Sequence, residues 1–400
     1  MALLPVEDAK ARILDGVVPT EVETADLSAA IGRVLAEDVA SRINQPPFDA
    51  SAMDGYAVRA ADVATAPAEL TVIGEAPAGQ AFDGAVASGQ AVRIFTGAPV
   101  PGGADTVVIQ EDTRLDGSTV RVLEAATPGQ FVRPLGLDFK LGEVLLEAGC
   151  RLGSREIALA AAMNHPALPV RRRPRVAILA TGDELIAPGG TPRPDQIISS
   201  NNFGMAAFVG QAGAEPVDLG IAGDTTEALV GGIERATGAD VLITLGGASV
   251  GDHDLVQHAL ERLGMSLDFW KIAMRPGKPL MFGTLGATRV LGLPGNPVST
   301  FVCARIFLRP LLDALLGARP EEPARRALLG ADMGENDERQ DYMRAIMNRG
   351  DDGGLIATPY PKQDSSMLRT LAEANCFIVR PPLDRPRKRG EPVDILLFDF

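Results

Sequence analysis

Apolar positions change their spacing twice in the N-terminal part of the chain. Intervals of three and four residues predict helices over Val6–Leu14 and Ala25–Val39, and again over Arg155–Asn164. Between these segments, short runs of Val, Ile and Ala separated by Gly, Pro and Asp are typical of a small β domain. Its strands are predicted at Leu70–Ile73, Gln90–Ile94, Thr106–Ile109 and Thr119–Val122. We therefore expect a β domain inserted into a helical one.

A regular alternation of apolar strands and helices begins after the basic joint Arg171–Arg175, which we interpret as a solvated linker. Continuous apolar strands that alternate with helices are typical of a parallel, doubly wound sheet. The predicted strands are Val176–Ala180, Val217–Ile221, Val241–Leu245, Phe269–Ala273 and Val290–Leu293. The predicted helices are Phe203–Ala212, Thr225–Thr237 with a Thr/Glu capping box, Asp254–Leu263 and Pro297–Leu315.

The alternation stops past Pro320, where short strands predict a small β barrel or sandwich. These strands are Arg344–Met347, Leu355–Thr358, Cys376–Val379 and Val393–Phe398. The sequence thus predicts a multi-domain α/β fold with four parts. They are a helical linker domain (residues 5–42 and 143–172), an inserted β domain (43–142), an α/β domain (173–318) and a C-terminal β-barrel domain (319–400).

Composition limits the class of protein. With 400 residues, 46% of them hydrophobic and 22% charged, the chain has the balance of a soluble globular protein. The net charge of −14 argues against nucleic acid, which needs a basic face. No apolar run approaches the ~20 residues that span a bilayer, and the N-terminus lacks the features of a signal peptide, so we expect a cytoplasmic protein. Three separated cysteines, Cys150, Cys303 and Cys376, indicate idle thiols rather than a disulfide or zinc site.

Four distinctive loops follow predicted strands or precede a helix of the α/β domain. Ligands of an open parallel sheet bind at the carboxyl ends of its strands, so these loops should share one pocket. They are Thr181–Leu185 (TGDEL, with Thr181, Gly182, Asp183 and Glu184), Gly223–Thr226 (GDTT), Thr244–Asp254 (TLGGASVGDHD, with Gly246, Gly247, Ser249 and Gly251) and Leu293–Ser299 (LPGNPVS, with Pro294, Gly295, Asn296 and Ser299). Glycines beside a helix N-terminus suit a phosphate, although a glycine pair after a strand is also an ordinary tight turn. The nearby segment Lys271–Lys278, which includes Arg275 and Gly277, supplies three cations for an anionic ligand.

Carboxylates crowd the same predicted pocket. Close, unpaired carboxylates repel each other, so such a cluster usually implies a cation. The crowded acids are Asp183, Glu184, Asp224, Asp252 and Asp254. Mg²⁺ is the natural candidate, because it can bridge phosphate oxygens while using a few of these carboxylates. Helix capping is the alternative role for Asp224 and Asp252.

Several long segments resemble the molybdopterin molybdenumtransferase family, which includes the corresponding module of gephyrin. The similarity covers residues 5–400, and three of its motifs would not be needed by a stand-alone adenylyltransferase of the same molybdopterin-binding fold. Those three are Pro46–Val58 (PPFDASAMDGYAV), Arg93–Val108 (RIFTGAPVPGGADTVV) and Val132–Asp138 (VRPLGLD). Three positions depart from the family pattern. Arg275 stands where lysine is common, and Asp364–Ser366 (DSS) replaces a Gly-Ser-Gly-like turn. Leu137 occupies a position that is often acidic.

The resemblance implies an elongated homodimer, with an active site between the sheet domain of one subunit and the inserted domain of its partner. It implies insertion of molybdate into adenylated molybdopterin with release of AMP. The inserted domain would contribute Asp54, Thr96, Arg133 and Asp138; the sheet domain Glu184, Asp224, Asp254, Lys271, Arg275 and Lys278; and the C-terminal domain Arg344 and Ser365. Of these, Asp54, Asp138, Glu184, Asp224, Asp254 and Lys271 would be catalytic, and Glu184, Asp224 and Asp254 would hold Mg²⁺ on the pyrophosphate.

Other functions remain open at the level of sequence. A molybdopterin adenylyltransferase shares the TGDEL and GGASVG loops, and a gephyrin-like scaffold shares the whole module. A variant that handles tungstate is equally compatible with these residues. An adenylyltransferase that hands over the adenylated substrate is the expected partner, and the sequence indicates neither nucleic acid nor membrane as one.

Overall fold

The computed structural model describes residues 3–247, 255–319, 325–351, 353–398 and 400. Residues 175–293 form a six-stranded sheet that agrees with the predicted doubly wound fold. Its strands, in spatial order, are Glu215–Ala222, Arg175–Thr181, Val241–Leu245, Thr288–Leu293, Met281–Leu285 and Ser266–Trp270. The first four are mutually parallel. Chain order reverses direction beside Arg175–Thr181, so a ligand crevice is expected at the end of this strand.

One strand near an edge of the sheet departs from the all-parallel prediction, whereas Ser266–Trp270 at that edge runs parallel to the first four strands. Met281–Leu285 runs antiparallel to both Thr288–Leu293 and Ser266–Trp270. The reason is the length of the connection: only Gly286 and Ala287 join the first two of these strands, which permits a hairpin but no crossover. Gly286 has a φ of +59°, the left-handed conformation that tight hairpins require.

Helices cover both faces of the sheet. They are Asn201–Gln211, Thr226–Glu234, Leu255–Arg262, Pro297–Cys303 and Arg309–Leu315. The last two belong to the single predicted helix Pro297–Leu315, which is interrupted by a π-helical turn at Ala304–Leu308. Pro310 accounts for the interruption, because proline cannot donate the next helical hydrogen bond.

The predicted capping box at the helix Thr226–Glu234 is only half present. The Thr225 hydroxyl accepts a hydrogen bond from the Ala228 amide at 3.2 Å, as an N-cap should. Glu227 is the second helical residue, so it is not in the third position from which a glutamate reaches back to the cap. Thr225 is therefore the capping residue, and the alternative capping role of Asp224 is wrong.

The sheet buries apolar residues on both of its faces. Val176 and Ile178 point into one cluster with the helices Asn201–Gln211 and Pro297–Cys303, whereas Ala177 and Leu179 point into another with Thr226–Glu234. All four side chains are buried. Strands covered on both faces explain the continuous apolar runs in the sequence.

The predicted helix Ala25–Val39 is wrong. The chain instead forms the strand Val22–Asp26, paired with Ala167–Arg171, one helical turn at Leu27–Ala30, and the short strand Val39–Ala40, paired with Val144–Leu146. Gly32 ends the turn with a φ of +74°, and the next residues pair with a distant loop: Leu35 N donates to Cys150 O at 2.9 Å. These tertiary hydrogen bonds prevail over the helical spacing of the apolar residues. The helices Val6–Leu14 and Ser154–Ala162 are present as predicted.

The inserted segment forms a six-stranded β sheet. In spatial order its strands are Thr106–Ile109, Gly55–Val58, Gln90–Ile94, Ala68–Ala76, Thr119–Val122 and Thr113–Asp116. The short pair Ala50–Ser51 and Val132–Arg133 lies beside it, with single 3₁₀ turns at Ala60–Asp62 and Gln110–Asp112. Three of the four predicted strands match to the residue, and the predicted Leu70–Ile73 lies within Ala68–Ala76.

The C-terminal segment is a closed five-stranded barrel, as predicted. Its strands are Arg325–Leu329, Gln340–Arg349, Leu355–Pro359, Cys376–Arg380 and Pro392–Leu397, and the pairing of Gln340–Arg349 with Cys376–Arg380 closes it. The strand Arg325–Leu329 and the helix Leu368–Glu373 were not predicted. A two-residue strand from the sheet domain, Met274–Arg275, pairs with Gln340–Asp341 of the barrel. Among the described helices, none is long and apolar enough to cross a membrane.

Candidate functional site

A cleft of about 640 Å³ opens at the carboxyl ends of the parallel strands. The predicted loops converge on it. Of the residues proposed for the site, it is lined by Thr181, Gly182, Glu184, Asp224, Gly246, Gly247, Pro294, Gly295 and Asn296. The cleft therefore lies at the switch in strand order, where an open sheet binds ligands.

Two glycines shape the floor of the cleft. Gly246 and Gly247 have φ values of +95° and +66°, a region that side chains disfavour. A Cβ at Gly247 would lie 2.2 Å from Cγ2 of Val256, and one at Gly246 would lie 2.9 Å from the Thr181 carbonyl oxygen. Neither position tolerates a side chain in this backbone conformation.

Backbone contacts bring the loops against one another. Gly246 N donates a hydrogen bond of 3.1 Å to Leu293 O. The Gly246 Cα lies 3.5 Å from the position that a Cβ of Gly295 would occupy. The absence of side chains thus allows two loops from different strands to form one wall for a phosphate.

Two carboxylates, those of Glu184 and Asp224, line the cleft, and Asp183 is hydrogen-bonded to the Asp224 backbone beside it. Asp224 N donates to Asp183 Oδ1 at 3.0 Å, and Asp183 N donates to Asp224 Oδ2 at 3.3 Å, so each carboxylate fixes the other loop. The Glu184 carboxylate lies over Gly182, where a Cβ would come within 2.3 Å of its oxygen. These two reciprocal hydrogen bonds to backbone N–H groups hold the loops of Asp183 and Asp224 against each other.

The predicted Mg²⁺ site cannot be assembled from what the structure describes. Asp254, Ser249, Gly251 and the alternative cap Asp252 lie outside the described residues. Within the described ranges, no group of three His, Cys, Asp or Glu side chains has the arrangement of a metal site. Glu184 and Asp224 are the two predicted ligands that line the cleft.

One wall of the cleft was not anticipated from the sequence. It is formed by the segment that leads into the helix Asn201–Gln211, with Ile197, Ile198, Ser199, Ser200 and Asn201. Pro279 and Ser366 also line the cleft, as do Leu185 and Pro297 from two of the predicted loops. The short parallel pair of Leu185–Ile186 with Ile197–Ile198 holds this wall in place. Asn201 Nδ2 ties it to the opposite loop by donating to Gly295 O at 2.7 Å. The available signal was the polar run Ser199–Asn202, directly before a helix.

The predicted cations occupy different environments outside the cleft lining. Lys278 is exposed, and the Lys271 ammonium lies over the Trp270 ring, 4.0 Å from its centroid. Gly277 is buried with a φ of +108°, and a Cβ there would meet Cys303 Sγ at 2.6 Å, which indicates a structural reason for this glycine. Ser299 is buried in the first turn of the helix Pro297–Cys303.

Arg275 is engaged by the C-terminal barrel. Its guanidinium pairs with Asp341 at 2.5 Å and Asp337 at 3.1 Å, and donates to Asn336 Oδ1 at 3.0 Å. The hydrogen bond to Asp341 is the main reason that the pKa of Arg275 is raised. Two acids already balance this charge, so an anion in the cleft would have to compete with them.

The C-terminal barrel reaches the cleft through one loop. Ser365 Oγ accepts a hydrogen bond of 2.9 Å from Asn296 Nδ2, and Ser365 O accepts another from Val298 N at 3.1 Å. Arg344 lies behind this loop with only 1% of its surface exposed. Its backbone N and Nε donate to Gln363 Oε1, and burial lowers its pKa. Arg344 therefore supports the loop that carries Ser365, and is not part of the cleft lining.

Two of the four predicted residues of the inserted domain line a second cleft of about 400 Å³. Arg133 and Asp138 line it, together with Gly97, which follows Thr96. Asp54 Oδ1 accepts hydrogen bonds from Thr96 N at 2.7 Å and Thr96 Oγ1 at 2.8 Å. The backbone bond from Thr96 is the main reason that the pKa of Asp54 is lowered, so this carboxylate stays ionised at neutral pH. Among the described residues, no lining residue is common to the two clefts.

Comparison with known proteins matches almost the whole chain. Three family models match in order: "MoeA N-terminal region (domain I and II)" over residues 4–164, "Probable molybdopterin binding domain" over 177–314, and "MoeA C-terminal region (domain IV)" over 326–398.

Curated relatives and a solved structure agree with these matches. Molybdopterin molybdenumtransferase of Nostoc sp. is 41% identical over 371 residues, which are 90% of this chain and 85% of the relative. The Haemophilus influenzae protein of the same name is 35% identical over 405 residues, 99% of each chain. The crystal structure of the molybdopterin biosynthesis moeA protein from Pyrococcus horikoshii superposes with a TM-score of 0.85 at 30% identity, covering 99% of this chain and 100% of that one.

Proposed function

Because the chain belongs to the molybdopterin molybdenumtransferase family, a family of molybdenum cofactor biosynthesis, we propose that it inserts molybdate into adenylated molybdopterin and releases AMP. The observation that carries this proposal is the cleft lined by Gly246, Gly247, Glu184 and Asp224, with Asp183 hydrogen-bonded to the Asp224 backbone. A pyrophosphate-linked pterin presents anionic phosphates and a planar ring, and this cleft offers backbone N–H groups and apolar walls for them.

The chemistry balances without a redox partner. As the two sulfurs of the dithiol bind molybdenum, their two protons leave with one molybdate oxygen as water. A second water cleaves the phosphoric anhydride, which yields AMP and the pterin phosphate. A divalent cation held by Glu184 and Asp224 would supply charge neutralisation to the anhydride. The protein's own residues then orient the substrates, which is where most of the acceleration is expected.

The inserted-domain residues have a distinct proposed role. Asp54 is ionised and is fixed by two hydrogen bonds from Thr96, which suits it to orient water or molybdate for attack on the anhydride. In one chain, Asp138 and Arg133 line a cleft that shares no described lining residue with the sheet-domain cleft. We therefore propose that a second copy of the chain completes each active site.

AMP release tests the proposed reaction. Purified protein is incubated with adenylated molybdopterin, Mg²⁺ and micromolar molybdate, and AMP is followed by chromatography. We expect molybdate-dependent AMP release that Glu184→Gln and Asp54→Asn each reduce strongly. Asp62→Asn is the matched control, because Asp62 also accepts backbone and side-chain hydrogen bonds within the inserted domain, from Gly89 and Ser88. ATP-dependent adenylation of molybdopterin in its place would refute the proposal in favour of an adenylyltransferase.

Mixing two inactive variants tests the shared site. If each site takes Asp54 from one subunit and Glu184 from the other, half of the randomly exchanged dimers are mixed and each contains one intact site. We therefore expect about a quarter of wild-type activity to return when Asp54→Asn and Glu184→Gln proteins exchange subunits. No recovery after demonstrated exchange would place both residues in a single-subunit site.

A further inference from the structure

Lys271 adopts a backbone conformation that lysine disfavours. Its φ is +81°, in the left-handed region where a Cβ is strained and glycine is the usual residue. Backbone hydrogen bonds fix this conformation: Lys271 N donates to Leu280 O at 3.2 Å, and Leu4 N donates to Lys271 O at 3.4 Å. A glycine at this position would relieve the strain, so the retention of a lysine indicates a use for its side chain.

Trp270, the preceding residue, also has a feature that lowers stability, which is an unpaired hydrogen-bond donor. Its indole N–H is buried and has no hydrogen-bond partner among the described residues. A phenylalanine would fill much of the same space without leaving a donor unpaired. Trp270 is moreover the only tryptophan in the chain. The hydrogen-bonding capacity of the indole is therefore not what this fold uses.

The face of the indole has a partner, which is the adjacent lysine. The Lys271 ammonium lies 4.0 Å from the Trp270 ring centroid, within the range of a cation–π interaction, and tryptophan is the strongest partner for one. An ammonium has three N–H groups, so contact with a ring on one side leaves donors for an anion on the other.

This pair lies at the end of the strand Ser266–Trp270, where the chain enters the segment that leads to Pro279 at the cleft. Pro279 lines the cleft, and the next residue, Leu280, accepts the hydrogen bond from Lys271 N. The adjacent Ile272 N donates to Lys278 O at 3.0 Å, so the strained lysine and the second lysine of this segment are held together. Two unfavourable local features therefore meet beside the candidate active site, where strain is commonly retained for function.

We propose that Trp270 is a positioning residue that holds the Lys271 ammonium for a tetrahedral oxyanion. This inference rests on the proposed function, in which molybdate is the oxyanion. The indole face keeps a flexible four-carbon side chain in one direction before the anion arrives, so less side-chain entropy is lost when it binds. The left-handed backbone of Lys271 directs the side chain toward that face.

The proposal is tested by measuring molybdate binding to the full-length protein by calorimetry, with sodium molybdate as the only ligand. We expect Trp270→Leu to weaken binding about three- to tenfold and Trp270→Phe, which keeps a ring, to weaken it less. In a Lys271→Ala background, already weakened more than tenfold, Trp270→Leu should have no further effect. Additive losses in the double variant would show that Trp270 acts independently of the ammonium, and would overturn the proposal.

Two measurements without molybdate test the geometry separately. Indole emission should change in Lys271→Leu, because Trp270 is the sole tryptophan and the ammonium contacts its ring. Lys271→Gly should melt at a higher temperature than Lys271→Ala, since only glycine relieves the backbone strain. Leu383→Gly, at another left-handed position (φ +55°) where the side chain is exposed, is the matched control that should leave molybdate binding unchanged.

The outcomes separate the two proposals. If Lys271→Ala abolishes molybdate binding but Trp270→Leu does not weaken it, the positioning role is wrong and the proposed function stands. If the wild-type protein neither binds molybdate nor releases AMP, the proposed function is wrong. Independently of both outcomes, unchanged indole emission in Lys271→Leu would refute the contact between Trp270 and the Lys271 ammonium.

Discussion

Gly247→Ala should destabilise the protein more than an ordinary loop substitution, because two separate penalties apply at this position. Alanine in the left-handed region costs about 1–2 kcal/mol, of which about 0.4–1 kcal/mol is offset by a less flexible unfolded chain. The new Cβ would also lie 2.2 Å from Val256 Cγ2, and such overpacking costs about 1–3 kcal/mol. We expect a loss of about 2–4 kcal/mol in the free energy of unfolding.

The same chain provides a control for the backbone penalty. Gly264 has a φ of +93°, but a Cβ there would meet nothing within 4 Å. Gly264→Ala should therefore lose only about 0–1 kcal/mol, and the difference between the two variants measures the contact with Val256. Urea unfolding followed by far-UV circular dichroism gives both values.

A double-mutant cycle completes the test. Val256→Ala removes Cγ2, the methyl carbon that the new Cβ would meet at 2.2 Å, so Gly247→Ala should be better tolerated in that background, by about 1–2 kcal/mol. Equal losses for Gly247→Ala and Gly264→Ala, or strictly additive values in the cycle, would refute the account of a closely packed cleft floor.

Three further predictions concern the barrel and the thiols. The hydrogen bond from Arg339 lowers the pKa of Asp337 to about 2, below its ordinary value of 3.8. The stability that this carboxylate contributes is therefore present above about pH 4 and is lost as the pH falls toward 2, so Asp337→Asn should be less stable than wild type at pH 7 and converge with it near pH 2. Arg344→Met should cost about 2–4 kcal/mol and weaken molybdate binding, because Arg344 is buried behind the loop that carries Ser365. Burial raises the pKa of the Cys303 thiol, so in the native protein iodoacetamide should modify the partly exposed Cys150 first.

Each of these three predictions has a result that would contradict it. A stability gap between Asp337→Asn and wild type that persists at pH 2 would contradict the linkage. Normal molybdate binding by Arg344→Met, despite its lower stability, would separate Arg344 from the cleft. Modification of Cys303 at the rate of Cys150 in folded protein, checked by peptide mapping against a urea-unfolded sample, would contradict its burial.

Local sequence predicted best those elements that local chemistry determines. The strand Val241–Leu245 and three strands of the inserted domain were predicted to the residue, because each is a β-branched run bounded by turn residues. The helix Ala25–Val39 was wrong because residues more than a hundred positions away supply its hydrogen bonds, as Cys150 does for Leu35. A spacing pattern contains no information about such partners.

The predictions for the candidate site divide in the same way between local and distant contacts. Loops that directly follow strands converge as expected, since parallel strands end at the same edge of a sheet. The wall from Ile197 to Asn201 was missed because a two-residue strand pair, too short to recognise in sequence, places it there. The environment of Arg275 could not be foreseen either: its acidic partners, Asp337 and Asp341, come from another domain.

The pairing of Met274–Arg275 with Gln340–Asp341 makes one peptide segment part of two domains. Leu4 forms an isolated β-bridge with Ile272, two residues before Met274, so the N-terminal residues are also connected to this part of the chain. Separating the barrel from the sheet domain would break backbone hydrogen bonds as well as side-chain contacts. We therefore expect these two domains to unfold in a single cooperative step, and native-state hydrogen exchange should protect the amides of this segment as strongly as those of the central strands. Lys271, Arg275 and Lys278, the cations next to the cleft, would then be as rigid as the two joined domains and not as mobile as a surface loop.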